Sequence, residues 1–120
     1  MDNSIALAFL GDCVYELLVR KRLLIEGHHH GKLHELSVKK VRASYQASGA
    51  KLIEPLLSEE ELAVLKRGRN AKSPVPKSAS VGEYRLATGL EALFGYLELR
   101  GEHERIAQLF EVIYNPPLSE

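Results

Sequence analysis

The stretch LAFLGDCVYE, residues 7–16, sets one carboxylate, Asp12, inside a run that is otherwise apolar up to Glu16. No proline interrupts it, and Ile5, Phe9, Val14, Leu17 and Leu18 recur at helical spacings, so a helix is predicted from an N-cap at Ser4 to Leu24. Gly11 costs up to about 1 kcal/mol within a helix, which points to a neighbouring helix packed closely against it. Burying Asp12 without a partner would cost several kcal/mol, so an arginine or a metal ion is expected beside it. A second acid in a similar setting is Glu91, inside LATGLEALFGYLEL at 86–99. The two acids are expected to meet on facing helices.

Working outward, Glu26-Gly27 ends the first helix, and His28, His29 and His30 follow as a loop. Three adjacent histidines do not share a helix face, and no second cluster has metal-ligand spacing, so a zinc site is not expected there. A second helix is predicted from Lys32 to Ala50, with Leu33, Leu36, Val41 and Tyr45 inward and Lys32, Lys39, Lys40 and Arg42 outward. Pro55 breaks the pattern, and Ser58-Glu59-Glu60-Glu61 opens a third helix with a capping box. Residues 66–80, KRGRNAKSPVPKSAS, are expected to form the one long loop, carrying Lys66, Arg67, Arg69, Lys72 and Lys77. Helical spacing returns over Val81–Arg100 and again over His103–Tyr114, and Asn115-Pro116-Pro117 stops it. With no strand-like alternation and no internal repeat, the expected fold is all-α, a single domain over residues 1–120 with about five main helices.

The chain has 120 residues, 45% of them hydrophobic and 27% charged, which is ordinary for a globular domain. No apolar run approaches the roughly 18 to 20 residues that span a bilayer, so no membrane association is expected. The start of the chain lacks a basic leader, and the single cysteine, Cys13, excludes an internal disulfide; both fit a cytoplasmic protein. The formal net charge is zero, but the charges are segregated. Residues 20–42 hold seven Lys/Arg against two acids, and residues 66–85 six against one. Two such segments could be solvated helix faces or could form one polyanion-binding surface.

Hard Mg²⁺ prefers carboxylate and water oxygens, so paired acids beside basic surfaces suggest phosphodiester chemistry. A structural ion pair fits Asp12 and Glu91 equally well on composition alone. The surrounding residues carry more. LAFLGDCVYE resembles the signature helix of the ribonuclease III family, roughly LEFLGDAVLE, and ATGLEALFGYL at 87–97 resembles that family's second acidic motif, roughly ADTVEALIGAI. Order and separation also fit, and the resemblance spans most of the chain. Its short length, with KRGRNAK at 66–72 and EYRLATGLEALFGYL at 83–97, is similar to the Mini-III branch, which consists of the catalytic domain without a double-stranded RNA-binding domain.

The resemblance implies a Mg²⁺-dependent endoribonuclease that cuts double-stranded RNA, with maturation of 23S ribosomal RNA as its natural work. Asp12 matches the family's metal-binding aspartate of the GD pair, and Glu91 the metal-binding glutamate of the EAL motif. Two other family acids are replaced, by Ala8 and Thr88, so water and RNA phosphate would have to complete a sparser metal shell. The family is homodimeric, which implies Phe9 at the subunit interface, with a place in the chain's own core as the open alternative, and two sites across one duplex, leaving 5′ phosphates and 3′ hydroxyls. A ribosomal protein is a further conceivable partner. A-form RNA is gripped by shape and backbone, and Lys66, Arg67, Arg69, Asn70, Lys72, Lys77 and Arg85 are the candidates for phosphate contacts. The missing acids leave one rival reading open: a module of this fold that binds structured RNA or a ribosomal partner without cutting it.

Overall fold

In the computed structural model, which describes residues 3–72, 74–77 and 80–116, the chain forms six α-helices. These are α1 (Ser4–Ile25), α2 (Leu33–Val41), α3 (Ala43–Ile53), α4 (Glu59–Asn70), α5 (Val81–Leu99) and α6 (His103–Tyr114). Short 3₁₀ turns fill His30–Lys32 and Glu54–Leu56, and no strand occurs among the described residues. The fold is all-α. No helix among the described residues is long and apolar enough to cross a membrane.

The central element is α5, and α1, α3 and α4 pack most extensively against it. Its small residues make this possible. A Cβ added to Gly95 would collide with the carbonyl of Leu7, and one added to Gly11 with the carbonyl of Glu91, so α1 and α5 touch backbone to backbone. At a second crossing, a Cβ on Gly89 would lie 2.6 Å from the carbonyl oxygen of Leu65, and one on Gly68 2.8 Å from Cβ of Ala92. Large apolar residues fill the remaining space. Leu90, Leu93, Phe94 and Leu97 of α5 are fully buried with Tyr15, Val19, Ile53, Leu65 and Leu109. Each such side chain contributes about 1.5–3 kcal/mol by leaving water. Tyr15 meets Phe94 and Phe110 edge-on, both with ring centroids at 5.8 Å, while its hydroxyl donates to the Lys40 carbonyl at 3.0 Å.

The capping box at Ser58 is present: its Oγ accepts from Glu61 N at 3.1 Å, and Glu61 Oε1 accepts from Ser58 N at 2.9 Å. The same carboxylate receives two 2.8 Å bonds from Arg105, whose guanidinium also donates to the Leu56 carbonyl, clamping the start of α4 to α6. That guanidinium holds the Glu61 carboxyl below the usual carboxylate range.

Three expectations change. The helix predicted over 32–50 is two helices, because Arg42 is extended (ψ 153°) and ends α2 while capping α3. The Gln46 side chain donates to the stranded Val41 carbonyl at 2.8 Å, so the break costs no unpaired acceptor there and needs neither Gly nor Pro. The expected loop over 66–80 begins later. Lys66, Arg67, Arg69 and Asn70 belong to α4, since Gly68 acts as a packing point against α5 and not as a breaker. Residues 73, 78 and 79 of that stretch, and Pro117, lie outside the described residues. The cap of α1 is Asn3, whose side chain accepts from Ala6 N at 3.1 Å, one residue before Ser4.

The contact with α5 also decides the faces of α1. Its buried residues are Ala8, Gly11, Tyr15, Val19 and Leu23. The bulkier apolar residues are largely outside: Phe9 is 83% exposed, which removes a core position for it, and Ile5 and Leu17 are exposed with it, while Val14 and Leu18 are only partly covered. Close backbone contact with α5 selects the face carrying Gly11, and that face excludes the bulkier one.

Candidate active site

Glu91 lies on α5 where three helices converge. The Gly11 contact brings α1 against its backbone, the crossing at Gly68 lays the last turns of α4 over Thr88, Gly89 and Ala92, and Gln46 reaches it from α3. Asp12 follows Gly11 directly, so the backbone contact delivers its carboxylate beside that of Glu91, within hydrogen-bonding reach. Asp12 is exposed, contrary to the burial expected for it. Glu91 is half-buried. Burial pushes its carboxyl up to about 8; the negative charge of Asp12 and a hydrogen bond with it add to the rise, and a 3.4 Å hydrogen bond from Gln46 Nε2 opposes it.

Glu91 and Asp12 together present hard oxygen ligands whose mutual repulsion a divalent cation would relieve, and the Gln46 amide steadies Glu91 from α3. This donor set fits Mg²⁺. It is sparse, since no group of three His, Cys, Asp or Glu side chains able to hold a metal ion occurs among the described residues. Neither residue at the replaced family positions adds a ligand. Ala8 is buried against Val64 and Ala92, and the Thr88 hydroxyl donates to the Tyr84 carbonyl at 3.0 Å.

The basic candidates are spread over the neighbouring elements. Lys66, Arg67 and Asn70 are exposed on the last turns of α4, and Arg69 is half-buried with its Nε 3.3 Å from Asn70 Oδ1. Lys72 and Lys77 are exposed beyond α4. Arg85 is exposed on α5, about 9 Å along the helix axis from Glu91. Sequence reading missed two features. Gln46 is one, a neutral residue in KVRASYQ whose side chain spans a helix break that periodicity does not reveal. The other is an open groove of ≈ 430 Å³ lined by Lys39, Arg42, Ser44, Tyr45, Ser48 and Glu83, where the first basic segment meets the start of α5.

The family model for the ribonuclease III domain matches residues 5–102, which include both acids and every helix that converges on them. The chain belongs to the ribonuclease III domain family. Among its relatives, a protein of Desulfitobacterium hafniense (strain Y51) named Mini-ribonuclease 3 is 50% identical over 92% of this chain and 71% of its own length. A Mini-ribonuclease 3 from Thermoanaerobacter sp. (strain X514) is 46% identical over 92% of this chain and 79% of its own. The X-ray crystal structure of a protein from Fusobacterium nucleatum superposes with a TM-score of 0.87 at 36% identity, covering 97% of this chain and 94% of that one. The two chains therefore share one fold over nearly the whole length of each.

Proposed function

We propose that this chain is a Mg²⁺-dependent endoribonuclease that hydrolyses double-stranded RNA, with precursor 23S ribosomal RNA as its natural substrate. The family it belongs to and its Mini-ribonuclease 3 relatives make it an endoribonuclease of the ribonuclease III type. The observation that carries the finer reading is the juxtaposition of Asp12 and Glu91, held by backbone contact between α1 and α5.

In this reading Asp12 and Glu91 hold the cation. When bound, it supplies positive charge that orients the scissile phosphate and stabilises the leaving 3′ oxygen. Glu91 gives up its proton on loading and presents a full carboxylate. Lys66, Arg67, Arg69, Asn70, Lys72, Lys77 and Arg85 contact backbone phosphates, so selection follows duplex shape more than base identity. The exposed face of α1 around Phe9 closes on a second copy, and the homodimer presents two sites to one duplex. The absence of any membrane-spanning helix among the described residues is compatible with action in the cytoplasm, where a ribosomal protein is a conceivable helper.

The test is cleavage of duplex RNA by wild type, Asp12→Asn and Glu91→Gln, with Mg²⁺ or EDTA. Wild type is expected to cut only with Mg²⁺, and each variant to lose at least about 100-fold in rate. Undiminished cutting by Asp12→Asn would sink the site assignment. Tight, salt-dependent duplex binding without any cleavage would support a non-cleaving module instead.

A further inference from the structure

Gln46 is 2% exposed, an amide buried more deeply than Ser37, Glu61 or Thr88. Its Nε2 donates twice, to the Val41 carbonyl at 2.8 Å and to Glu91 Oε2 at 3.4 Å. Its Oε1 is buried and has no hydrogen-bond partner among the described residues. Turning the amide over would set two acceptor oxygens 2.8 Å apart at Val41, so the orientation with Nε2 on Val41 and Glu91 is the one the surroundings allow. A helix-capping role accounts for the bond to Val41. It does not account for the second bond to Glu91, nor for an orphan acceptor, which costs about 1–3 kcal/mol unless something donates to it.

We propose that Gln46 is a positioning residue of the carboxylate site. Its Nε2 holds the Glu91 carboxylate in place beside that of Asp12. The inference rests on the reading that Asp12 and Glu91 bind that cation. It gives the sparse acidic set a neutral support from α3, a helix that contributes neither acid. It also links the kink between α2 and α3 to the site, since one amide satisfies both the stranded carbonyl and the ligand. Partners that orient a metal ligand in this way typically alter metal affinity by about 10- to 100-fold when removed.

The experiment is Mn²⁺ titration of the RNA-free protein followed by electron paramagnetic resonance, on wild type, Gln46→Met, Gln46→Asn and Asp12→Asn, with thermal unfolding in EDTA alongside. Gln46→Met keeps length and volume and is expected to weaken Mn²⁺ binding by about 10-fold or more. Gln46→Asn keeps the amide but is one methylene too short to bridge Val41 and Glu91, so it is expected to weaken binding by several-fold, and it serves if the Met variant does not fold. Mn²⁺ affinity within twofold of wild type in the folded variants overturns the proposal, including the case where they melt earlier, because a purely structural amide would lower the melting temperature and leave the metal alone. A wild type that binds Mn²⁺ no better than Asp12→Asn would instead overturn the underlying site reading, and this proposal with it.

Discussion

At the scale of single residues, Asp12 and Glu91 exchange the roles that hydropathy suggests. Asp12 stands in the greasier stretch of sequence yet is exposed, while Glu91 is half-buried with its carboxyl pushed up to about 8 by burial and by Asp12. Native protein therefore keeps a proton on Glu91 between about pH 4.5 and 8 that the unfolded chain has already released. Stability from this group is present below the lower value and is lost as pH rises through the upper one. Glu91→Gln removes that dependence. In EDTA the variant is expected to melt close to wild type at pH 5 and about 5 °C above it at pH 8.5, corresponding to roughly 1 kcal/mol once partial solvent access is allowed for. Calorimetry across pH checks this; a gap that does not widen with pH would show that Glu91 is not the proton holder.

At the scale of helices, the deciding contact is that of α1 on α5. Gly11 and Gly95 leave no room for a methyl group between two backbones, and the Cβ of Gly11→Ala would land on the carbonyl of Glu91, which cannot swing aside as a side chain would. The substitution must part the helices and carry Asp12 away from Glu91. Urea denaturation is expected to show a loss of about 3 kcal/mol, the upper end of what overpacking usually costs. Gly82→Ala is the control, because a Cβ there meets nothing within 4 Å, and it should be close to neutral. The second crossing, at Gly68 and Gly89, has a different consequence: it extends α4 past the point where a glycine would usually end it, which places Lys66, Arg67, Arg69 and Asn70 on a rigid helix.

At the scale of the whole molecule, the outward face of α1 is the least settled in water. Phe9 at 83% exposure stands with exposed Ile5 and Leu17, and beside them Leu10, Cys13, Val14, Leu17 and Leu18 line an apolar depression with Ile106. Phe9→Lys is expected to convert a dimer to a monomer in sedimentation velocity while leaving the helical circular dichroism unchanged, since the side chain touches none of the buried core. A wild type that sediments as a monomer would remove the dimer from the proposal. Lys39 and Arg42 of the first basic segment share a groove with Glu83, the one acid of the second, at the start of α5.

The all-α class, the end of α1 at Glu26-Gly27, the capping box at Ser58 and the helices over 81–100 and 103–114 are legible in the sequence, because caps, breakers and helical period are local signals that act within a few residues. Its two acidic motifs also carried the family resemblance, and the family match covers both. Which face of α1 turns inward, the break at Arg42, the persistence of α4 to Asn70 and the bridge from Gln46 to Glu91 were decided only by tertiary structure. Each depends on how close two backbones can come, or on one side chain satisfying a group from another element. LAFLGDCVYE is apolar on nearly every side, so hydropathy alone cannot choose a face; Gly11 against the carbonyl of Glu91 does, by admitting α5 on one side and excluding it from the others.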